Sequence, residues 1–217
     1  MFEHIELIEQ QFQFGEKTLT IKRVKNLDDM VDRVSDADFA EDERLPYWAE
    51  LWPSAEALSR FLFQNPHLVA GRSVLELGCG LGLTSLSLAC QKPRELLVTD
   101  YEQDALDLTA LNFKLNGMPA PQRQLMDWRR PQCAGLYDCI TASDVVYEER
   151  FFHPLIRVFR QCLKADGHII LAEPNRAVAR SFFSLLREEG YGFERIPQTV
   201  MQEGRSIQVS IYIIRRI

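Results

Sequence analysis

Three alternating glycines form the part of the sequence whose residue types most directly indicate chemistry. They lie in ELGCGLG, Glu76 to Gly82, directly after a short apolar run that predicts a strand. Glycine is needed in such a strand-to-helix turn where a ligand approaches the backbone closely or where φ is positive. The dinucleotide-binding fingerprint is GxGxxG, whereas these glycines are 78, 80 and 82 and the next residue is Leu83. The spacing therefore weakens an NAD-dependent oxidoreductase as an explanation of the turn.

A carboxylate at the end of the next predicted strand suits a nucleoside ligand. Asp100 lies in RELLVTDY, 94–101, and follows Gly78 by 22 residues. A carboxylate there can accept hydrogen bonds from both hydroxyls of a ribose, although an Asp at this position could instead cap the following helix. Tyr101 would either flank an adenine ring or pack. Together with the glycine turn, Asp100 predicts a nucleoside-binding crevice.

Aromatic residues are concentrated in segments that should border the same crevice. Asp127 and Trp128 follow a short predicted strand near 122–126, and Trp128 offers either a flat π face to a ligand or a partly buried core indole. The other two tryptophans lie in LPYWAELWPSAEAL, 45–58. Pro53 is typical of the first turn of a helix. We expect Trp52 to contact a cofactor, and Tyr47 and Trp48 to border the substrate entrance, unless Trp48 only packs.

Alternating strand and helix patterns must position these residues. From Ser73 the patterns repeat as β-α units up to a strand at 168–174, with YDCITASDVVY, 137–147, as a buried strand and a helix that ends near Asp166-Gly167. Such units predict an α/β, Rossmann-like, seven-stranded and mostly parallel sheet with helices on both faces. Segments 192–202 and 206–216 predict an antiparallel C-terminal hairpin.

The first residues have a different pattern. IELIEQQFQFGEKTLTIKRV predicts a hairpin that turns at Gly15, and a charged linker, Asp28–Glu43, follows it. We therefore predict a small N-terminal β-hairpin/helix extension, residues 1–44, and an α/β domain, residues 45–217.

Composition excludes several classes of protein. The net charge of −6 disfavours a nucleic-acid partner, although the locally basic WRRPQ leaves an RNA substrate open. The four histidines are scattered and predict no metal site. Five cysteines without a CxxC pair make a zinc ribbon or a disulfide framework unexpected, and the reducing cytoplasm fits best. No signal peptide pattern or membrane-spanning run is found.

Five motifs in order carry a resemblance to a known family. They are LPYWAELWPSA, ELGCGLG, VTDY, MDWRR and SDVVY. With them the chain resembles the family-16 seven-β-strand class I S-adenosylmethionine-dependent methyltransferases, from about residue 45 to the C-terminus. That family includes protein-lysine methyltransferases that act on Hsp70, valosin-containing protein and the electron-transfer flavoprotein β-subunit. Trp52-Pro53 makes the flavoprotein-directed members the most similar subgroup.

The resemblance implies a cofactor and a set of roles. S-adenosyl-L-methionine would bind and S-adenosyl-L-homocysteine would leave, without any phosphate at the glycine turn. Glu76 suits the positive charges of this cofactor, unless it is only an exposed charge near the loop. The implied cofactor-binding residues are Trp52, Glu76, Gly78, Cys79, Gly80, Gly82, Asp100, Tyr101, Asp127, Trp128 and Ser143. The implied catalytic residues, facing the substrate, are Asp144 and Tyr147.

The expected activity is methyl transfer to a lysine side chain of a protein substrate. SDVVY differs from the NPPY of amino-methyltransferases that act on adenine or glutamine, which disfavours those acceptors. Asp144 would orient the lysine and Tyr147 would wall its channel through a cation–π contact, although Asp144 could instead cap a helix and Tyr147 could simply pack. A small-molecule N- or O-methyltransferase and a cofactor-binding module without turnover stay open.

Overall fold

The computed structural model describes residues 5–27, 30, 46–202 and 204–217. The predicted linker Asp28–Glu43 lies outside the described residues except for Met30. The elements, in chain order, are β1 (Leu7–Phe14), β2 (Lys17–Val24), α1 (Pro53–Gln64), β3 (Ser73–Leu77), α2 (Leu83–Cys90), β4 (Glu95–Asp100), α3 (Gln103–Leu115), β5 (Gln122–Leu125), β6 (Tyr137–Ser143), α4 (Phe152–Cys162), β7 (Leu163–Glu173), α5 (Ala179–Glu188), β8 (Tyr191–Gln202) and β9 (Arg205–Arg216).

A seven-stranded sheet forms the centre of the fold in the order β5-β4-β3-β6-β7-β9-β8. Strands β3 to β7 pair in parallel, and β9 runs antiparallel to both β7 and β8. The direction in which successive strands are added reverses between β3 and β6, and ligands of open α/β sheets bind at such a switch point. The predicted fold class, including the C-terminal hairpin, is confirmed.

Helices cover both faces of the sheet. Helices α1 and α2 contribute Leu58, Leu62 and Leu88 to the core on one face, where they pack with Val74 and Ile170. Helices α4 and α5 contribute a second core on the other face, which includes Leu155, Phe159, Phe182 and Leu186. Because β3 is buried along its whole length, the turn that follows it is held on a rigid strand.

The predicted N-terminal hairpin is present and joins the core of the α/β body. Its buried residues Leu19 and Ile21 pack in one cluster with Leu83 of α2 and Phe113 of α3. The side chains of Asn112 of α3 and of Asn116, the residue directly after this helix, also bond the backbone of β2. Asn112 accepts from the amide of Lys22 at 2.7 Å and donates to its carbonyl at 3.0 Å. Asn116 does the same for Thr20, at 3.0 and 2.6 Å. The division between residues 44 and 45 stays a prediction.

Two boundaries differ from the predictions. The strand predicted over 137–147 ends at Ser143, because Asp144 takes the left-handed conformation with φ 61°. The helix predicted to end near Asp166 ends at Cys162, because β7 already pairs with β6 from Leu163 onward. Both errors have the same cause. Pairing with a neighbouring strand and the local backbone conformation decide where a strand or a helix ends, and an apolar run in the sequence shows neither.

A disulfide that the cysteine spacing did not predict joins Cys133 and Cys162. Their Cα atoms lie 5.6 Å apart, within the range that disulfides span. The bond ties the segment after Trp128 to the last residue of α4. The cysteines are separated by 29 residues, so no local spacing motif could reveal their proximity. Within the described ranges, no helix has the length and apolarity needed to cross a membrane.

Candidate active site

A cavity of about 720 Å³, including its open mouth, lies at the carboxyl ends of β3, β4 and β6. It lies where the order of strands in the sheet reverses, and the segment before α1 forms one of its walls. Most of the sequence-predicted residues line it, namely Trp52, Gly78, Cys79, Gly80, Asp100, Tyr101, Trp128, Ser143, Asp144 and Tyr147. Three predicted residues, Glu76, Gly82 and Asp127, do not line this cavity. Tyr47, Trp48, Glu50 and Leu51 complete the wall that the segment before α1 contributes.

The glycine turn is held in a conformation that leaves room beside the backbone. Gly78 and Gly80 have φ of 65° and 50°, where a side chain would be strained. A Cβ at Gly78 would also lie 3.2 Å from Val145 Cγ1, and one at Gly80 would lie 3.2 Å from the Trp48 carbonyl oxygen. Gly82 has another reason to be glycine, because its Cβ would lie 2.7 Å from Thr109 Oγ1 of α3. Its role in this structure is helix packing.

Asp100 holds the glycine turn and also faces the cavity. Its Oδ2 accepts from the Gly80 amide at 2.9 Å and its Oδ1 accepts from the Glu102 amide at 3.0 Å. Burial raises the pKa of Asp100 in spite of these hydrogen bonds. The Tyr101 amide and the Cys79 thiol also bond this carboxylate, so a ligand hydroxyl would share an oxygen with these donors or replace one of them.

Glu76 lies beneath the turn rather than in the cavity. Its side chain is buried and accepts a short hydrogen bond from the Ser85 hydroxyl of α2. Burial raises the pKa of Glu76 to about 8; the Ser85 hydrogen bond opposes this rise, and the nearby charge of Asp100 adds to it. The alternative of an exposed charge is therefore wrong, and Glu76 supports the turn from below.

Five aromatic side chains form a continuous arc along the mouth of the cavity, which we call the aromatic arc. Its successive ring centroids are 6.3, 5.8, 5.9 and 5.8 Å apart, in the order Trp52, Tyr47, Tyr147, Phe151 and Trp128. The indole nitrogen of Trp52 donates to the Tyr47 carbonyl at 2.9 Å, which fixes the tryptophan face. Phe151 was missed from the sequence, although it stands one helical turn after Tyr147. Burial raises the pKa of Tyr147, so this phenol stays neutral near neutral pH.

A smaller pocket lies beside the cavity and contains Asp127. It shares Tyr101, Trp128 and Tyr147 with the cavity and adds Asp127 and Arg129. Asp127 is paired with Arg129 at 2.9 Å. Partial burial is the largest single effect and would raise the pKa of Asp127, but the two hydrogen bonds from Arg129 and the charges of Arg129 and Arg130 together outweigh it and lower the pKa. Arg129 also donates to the Tyr101 hydroxyl at 2.8 Å, which fixes the ring of Tyr101 at the cavity wall.

Asp144 combines an ion pair with an unpartnered oxygen. Its backbone amide donates to the Ala172 carbonyl at 2.9 Å, and its Oδ1 is bonded to the Arg176 guanidinium. Its Oδ2 is buried and has no hydrogen-bond partner among the described residues. The alternative of a helix cap is wrong, because the residue that precedes the next helical turn is Glu148. Arg176 was not identified from the sequence, since it stands 32 residues later.

Solved structures with this fold include two methyltransferases that the chain resembles. The chain is similar to the ribosomal protein L11 methylase of Lactobacillus delbrueckii subsp. bulgaricus, with a TM-score of 0.59, 18% identity, and coverage of 75% of this chain and 80% of that one. It is also similar to magnesium protoporphyrin IX methyltransferase of Synechocystis with bound SAM, with a TM-score of 0.58, 18% identity, and coverage of 88% and 92%. At this identity the likeness shows the fold, which is that of Rossmann-like methyltransferases.

The sequence comparisons define the family. The family model described as lysine methyltransferase matches residues 35–189, and the chain belongs to that family. Electron transfer flavoprotein beta subunit lysine methyltransferase of Rattus norvegicus is 34% identical over 60% of this chain and 51% of its own length. The Danio rerio protein of the same name is 30% identical over 68% and 62%. Calmodulin-lysine N-methyltransferase of Arabidopsis thaliana is 30% identical over 52% and 40%. The chain thus matches about half to three fifths of the length of the flavoprotein-directed relatives.

Proposed function

We propose that this protein transfers a methyl group from S-adenosyl-L-methionine to the side-chain amine of a lysine in a protein substrate. Membership of the lysine methyltransferase family supports the reaction class. The named activities of the flavoprotein and calmodulin relatives support a protein acceptor. The observation that carries the proposal is the charge of the cavity wall.

The cavity wall is acidic and aromatic. It contains the carboxylates Glu50, Asp100 and Asp144, and the described residues that line it include no Lys, Arg or His. Arg176 pairs with Asp144 beside this lining, but a pyrophosphate in the cavity would still face the carboxylates of Glu50 and Asp100. A sulfonium with an α-ammonium group has the opposite charge and suits both the carboxylates and the faces of aromatic rings. The wall therefore fits S-adenosyl-L-methionine better than NAD, as the spacing of the glycine turn also indicates.

Individual residues match parts of that cofactor. The Asp100 carboxylate lines the cavity, where it can accept from ribose hydroxyls, and Gly78 and Gly80 present backbone without side chains to the same cavity. The Trp128 indole nitrogen is buried and has no hydrogen-bond partner among the described residues, so a ligand acceptor at this wall would satisfy it. When bound, S-adenosyl-L-methionine supplies an electrophilic methyl group on a positively charged sulfur.

The chain contributes positioning and charge to the reaction. Alignment of an attacking amine with a methyl group can lower the barrier by roughly 7–11 kcal/mol. The unpartnered Oδ2 of Asp144 would accept an N–H of the lysine, and the aromatic arc would hold its aliphatic chain. A free lysine with a pKa near 10.4 is only about 0.04% neutral at pH 7, so the site must also favour loss of the proton.

The protein partner and the cellular location are proposals separate from that of the reaction. We propose a protein partner that presents lysine, and a cytoplasmic location as the cysteine pattern suggests. The Cys133–Cys162 disulfide is at odds with a reducing compartment. Alkylation of thiols in freshly lysed cells, followed by mass spectrometry, decides the point. A free Cys133 supports the cytoplasm, and an intact bond contradicts it.

The test of the function is methyl labelling of a cell lysate. Lysate of the source cells would be incubated with methyl-tritiated S-adenosyl-L-methionine and either the wild-type protein or Trp52→Ala. Samples would then be digested with protease or nuclease, and the acid hydrolysate would be analysed for methylated lysine. We expect label that is lost on protease treatment, is recovered as methyl-lysine and decreases with the variant. Label in small molecules or in nuclease-sensitive material would contradict a protein acceptor, and absence of label would support a binding module without turnover.

A further inference from the structure

The loop that follows β7 is held in one conformation by hydrogen bonds to the side chain of Glu173. Both oxygens of Glu173 are used, because they accept from the Asn175 amide at 2.6 Å and from the Arg176 amide at 2.8 Å. Asn175 takes a left-handed conformation with φ 62°. Burial raises the pKa of Glu173 although these amides oppose the shift. The turn thus projects Arg176 from a fixed backbone.

The terminal hairpin of the sheet anchors the same loop from its other side. The Oδ1 atom of Asn175 accepts from Arg195 of β8 at 2.8 Å and from the Ser210 hydroxyl of β9 at 2.7 Å. Its Nδ2 donates to the Gln208 carbonyl of β9 at 3.0 Å. The Asn175 side chain therefore uses both its carbonyl oxygen and its amide nitrogen to anchor the loop to the hairpin.

Arg176 connects two walls of the cavity. Its guanidinium bonds Oδ1 of Asp144 and lies over the Trp52 ring, with Cζ 5.7 Å from the ring centroid. The side chain of Asp144 is 3% exposed and that of Arg176 is 28% exposed. The pair is therefore sheltered from water on the Asp144 side, where Coulomb interactions are strongest. Arg176 orients Asp144 so that only Oδ2 is left for a ligand.

The charges around Asp144 determine how this arrangement changes the pKa of an incoming lysine. An isolated carboxylate would stabilise the ammonium form and raise its pKa, which opposes attack on a methyl group. The other acidic groups of the surroundings are Glu173 at the end of β7, Asp100 at the end of β4 and Glu50 before α1, and the phenols are those of Tyr47 and Tyr147. Among the described residues, Arg176 is the cation that directly pairs with Asp144.

We propose that Arg176 is a positioning residue that fixes Asp144 and offsets its charge, so that a bound lysine loses its proton at a lower pH. This inference rests on the proposed lysine methylation. Asp144 then acts as a hydrogen-bond acceptor that orients the amine without holding it as an ammonium ion. The proton leaves to water before the nitrogen attacks, and the nitrogen–methyl bond forms as the sulfur–methyl bond breaks.

The first arm of the test is a pH profile of methyl transfer. Single-turnover rates of wild type, Arg176→Gln, Arg176→Lys and Arg180→Gln would be measured from pH 6.5 to 10.5 with N-α-acetyl-lysine methylamide as acceptor. Arg180 is an exposed residue of α5 and provides the same chemical change away from the site. We expect the midpoint of Arg176→Gln to move up by about one pH unit and its rate at neutral pH to fall about tenfold. Arg176→Lys should restore most of the midpoint, and Arg180→Gln should match wild type.

The second arm does not depend on activity. The carboxyl carbon signal of Asp144 would be recorded by carbon-13 NMR at pH 7 in the ligand-free protein and assigned by its loss in Asp144→Asn. Removal of the paired guanidinium should move the chemical shift of this signal in Arg176→Gln but not in Arg180→Gln. Circular dichroism would show that each variant is folded.

The outcomes separate this inference from the proposed function. If the midpoint of the pH profile of Arg176→Gln equals that of wild type while the rate is lower at every pH, Arg176 is only a structural support. An unchanged carboxyl signal of Asp144 would overturn the charge pairing itself. If wild type forms no methyl-lysine in the proteins of the lysate but the carboxyl signal moves as expected, the pair is real and the proposed function is wrong.

Discussion

Strand β6 carries one aspartate near its beginning and another directly after its end, and the two differ in how completely they are paired. Asp138 accepts from the Ser73 amide and hydroxyl, both at 2.8 Å, from Arg94 at 3.1 Å and from Lys164 at 2.6 Å. The Lys164 hydrogen bond is the main reason that the pKa of Asp138 lies well below its ordinary value. Both oxygens of Asp138 are therefore paired with donors.

At the other end of the strand, Asp144 keeps an oxygen without a partner. The neighbouring carboxyls Glu76 and Asp100 both have raised pKa values because they are buried. A folded protein rarely leaves buried polar groups unsatisfied without a reason. The comparison teaches that the amino end of the sheet stabilises the fold, whereas the carboxyl end retains the charge and hydrogen-bonding capacity that a ligand uses.

The largest expected effect contrasts the two aspartates directly. Asp144→Asn should lower the turnover number roughly 100-fold, because the amide is a weaker acceptor and leaves Arg176 without its counter-charge. Asp138→Asn should keep its turnover number but lose about 1–2 kcal/mol of stability, since several charge-assisted hydrogen bonds are weakened. Labelled-methyl kinetics and urea unfolding measure the two quantities. Unchanged methylation by Asp144→Asn would contradict its role.

A smaller effect is expected at the aromatic arc. Trp52→Ala should raise the dissociation constant for S-adenosyl-L-homocysteine about 10- to 100-fold, because it removes a broad ring from the cavity wall and the surface on which Arg176 lies. Trp52→Phe is the matched control and should retain most of the affinity. Calorimetric titration of both variants measures this. Equal affinity of Trp52→Ala and wild type would make Trp52 a packing residue.

The two ends of the sheet should also give opposite pH dependence of stability. The pKa of Glu76 is raised from 4.5 to about 8, so its folded-state stabilisation is complete below about pH 4.5 and is lost as the pH rises to about 8. The pKa of Asp138 is lowered from 3.8, so its stabilisation is present above that pH and is lost as the pH falls below it. Each proton contributes a slope of at most about 1.4 kcal/mol per pH unit.

Urea unfolding from pH 2.5 to 8.5 would measure these slopes in wild type and two variants. Glu76→Gln should flatten the decline between pH 4.5 and 8, and Asp138→Asn should flatten the loss in acid. If the Glu76→Gln curve runs parallel to that of wild type, the raised pKa of Glu76 does not contribute to stability.

Local sequence patterns were sufficient for much of the fold and for the centre of the site. The alternation of apolar runs with helical spacing predicted the α/β sheet, and the glycine turn with Asp100 at the next strand end predicted the crevice. These signals are local, because a turn or a strand end must have suitable residues within a few positions.

The features that the sequence did not reveal depend on distant contacts. Arg176 reaches Asp144 across 32 residues, and Cys133 meets Cys162 across 29. Glu76 and Asp127 were predicted in the cofactor site by motif position, yet packing buries Glu76 under the turn, and the pairing of Asp127 with Arg129 holds it in the adjacent pocket. The position of a motif predicts which site a residue lies near, but only the packed structure shows whether its side chain lines the cavity.

The most direct test of the central claim is a calorimetric titration of S-adenosyl-L-homocysteine into wild type, Asp100→Asn and Asp107→Asn. Asp107 lies on α3, is paired with Arg123 at 3.4 Å and does not line the cavity, so it is the matched control. We predict one-to-one binding by wild type and by Asp107→Asn, with an affinity at least about tenfold lower in Asp100→Asn. Equal affinities in all three proteins, or binding of NADH in place of S-adenosyl-L-homocysteine, would contradict the account.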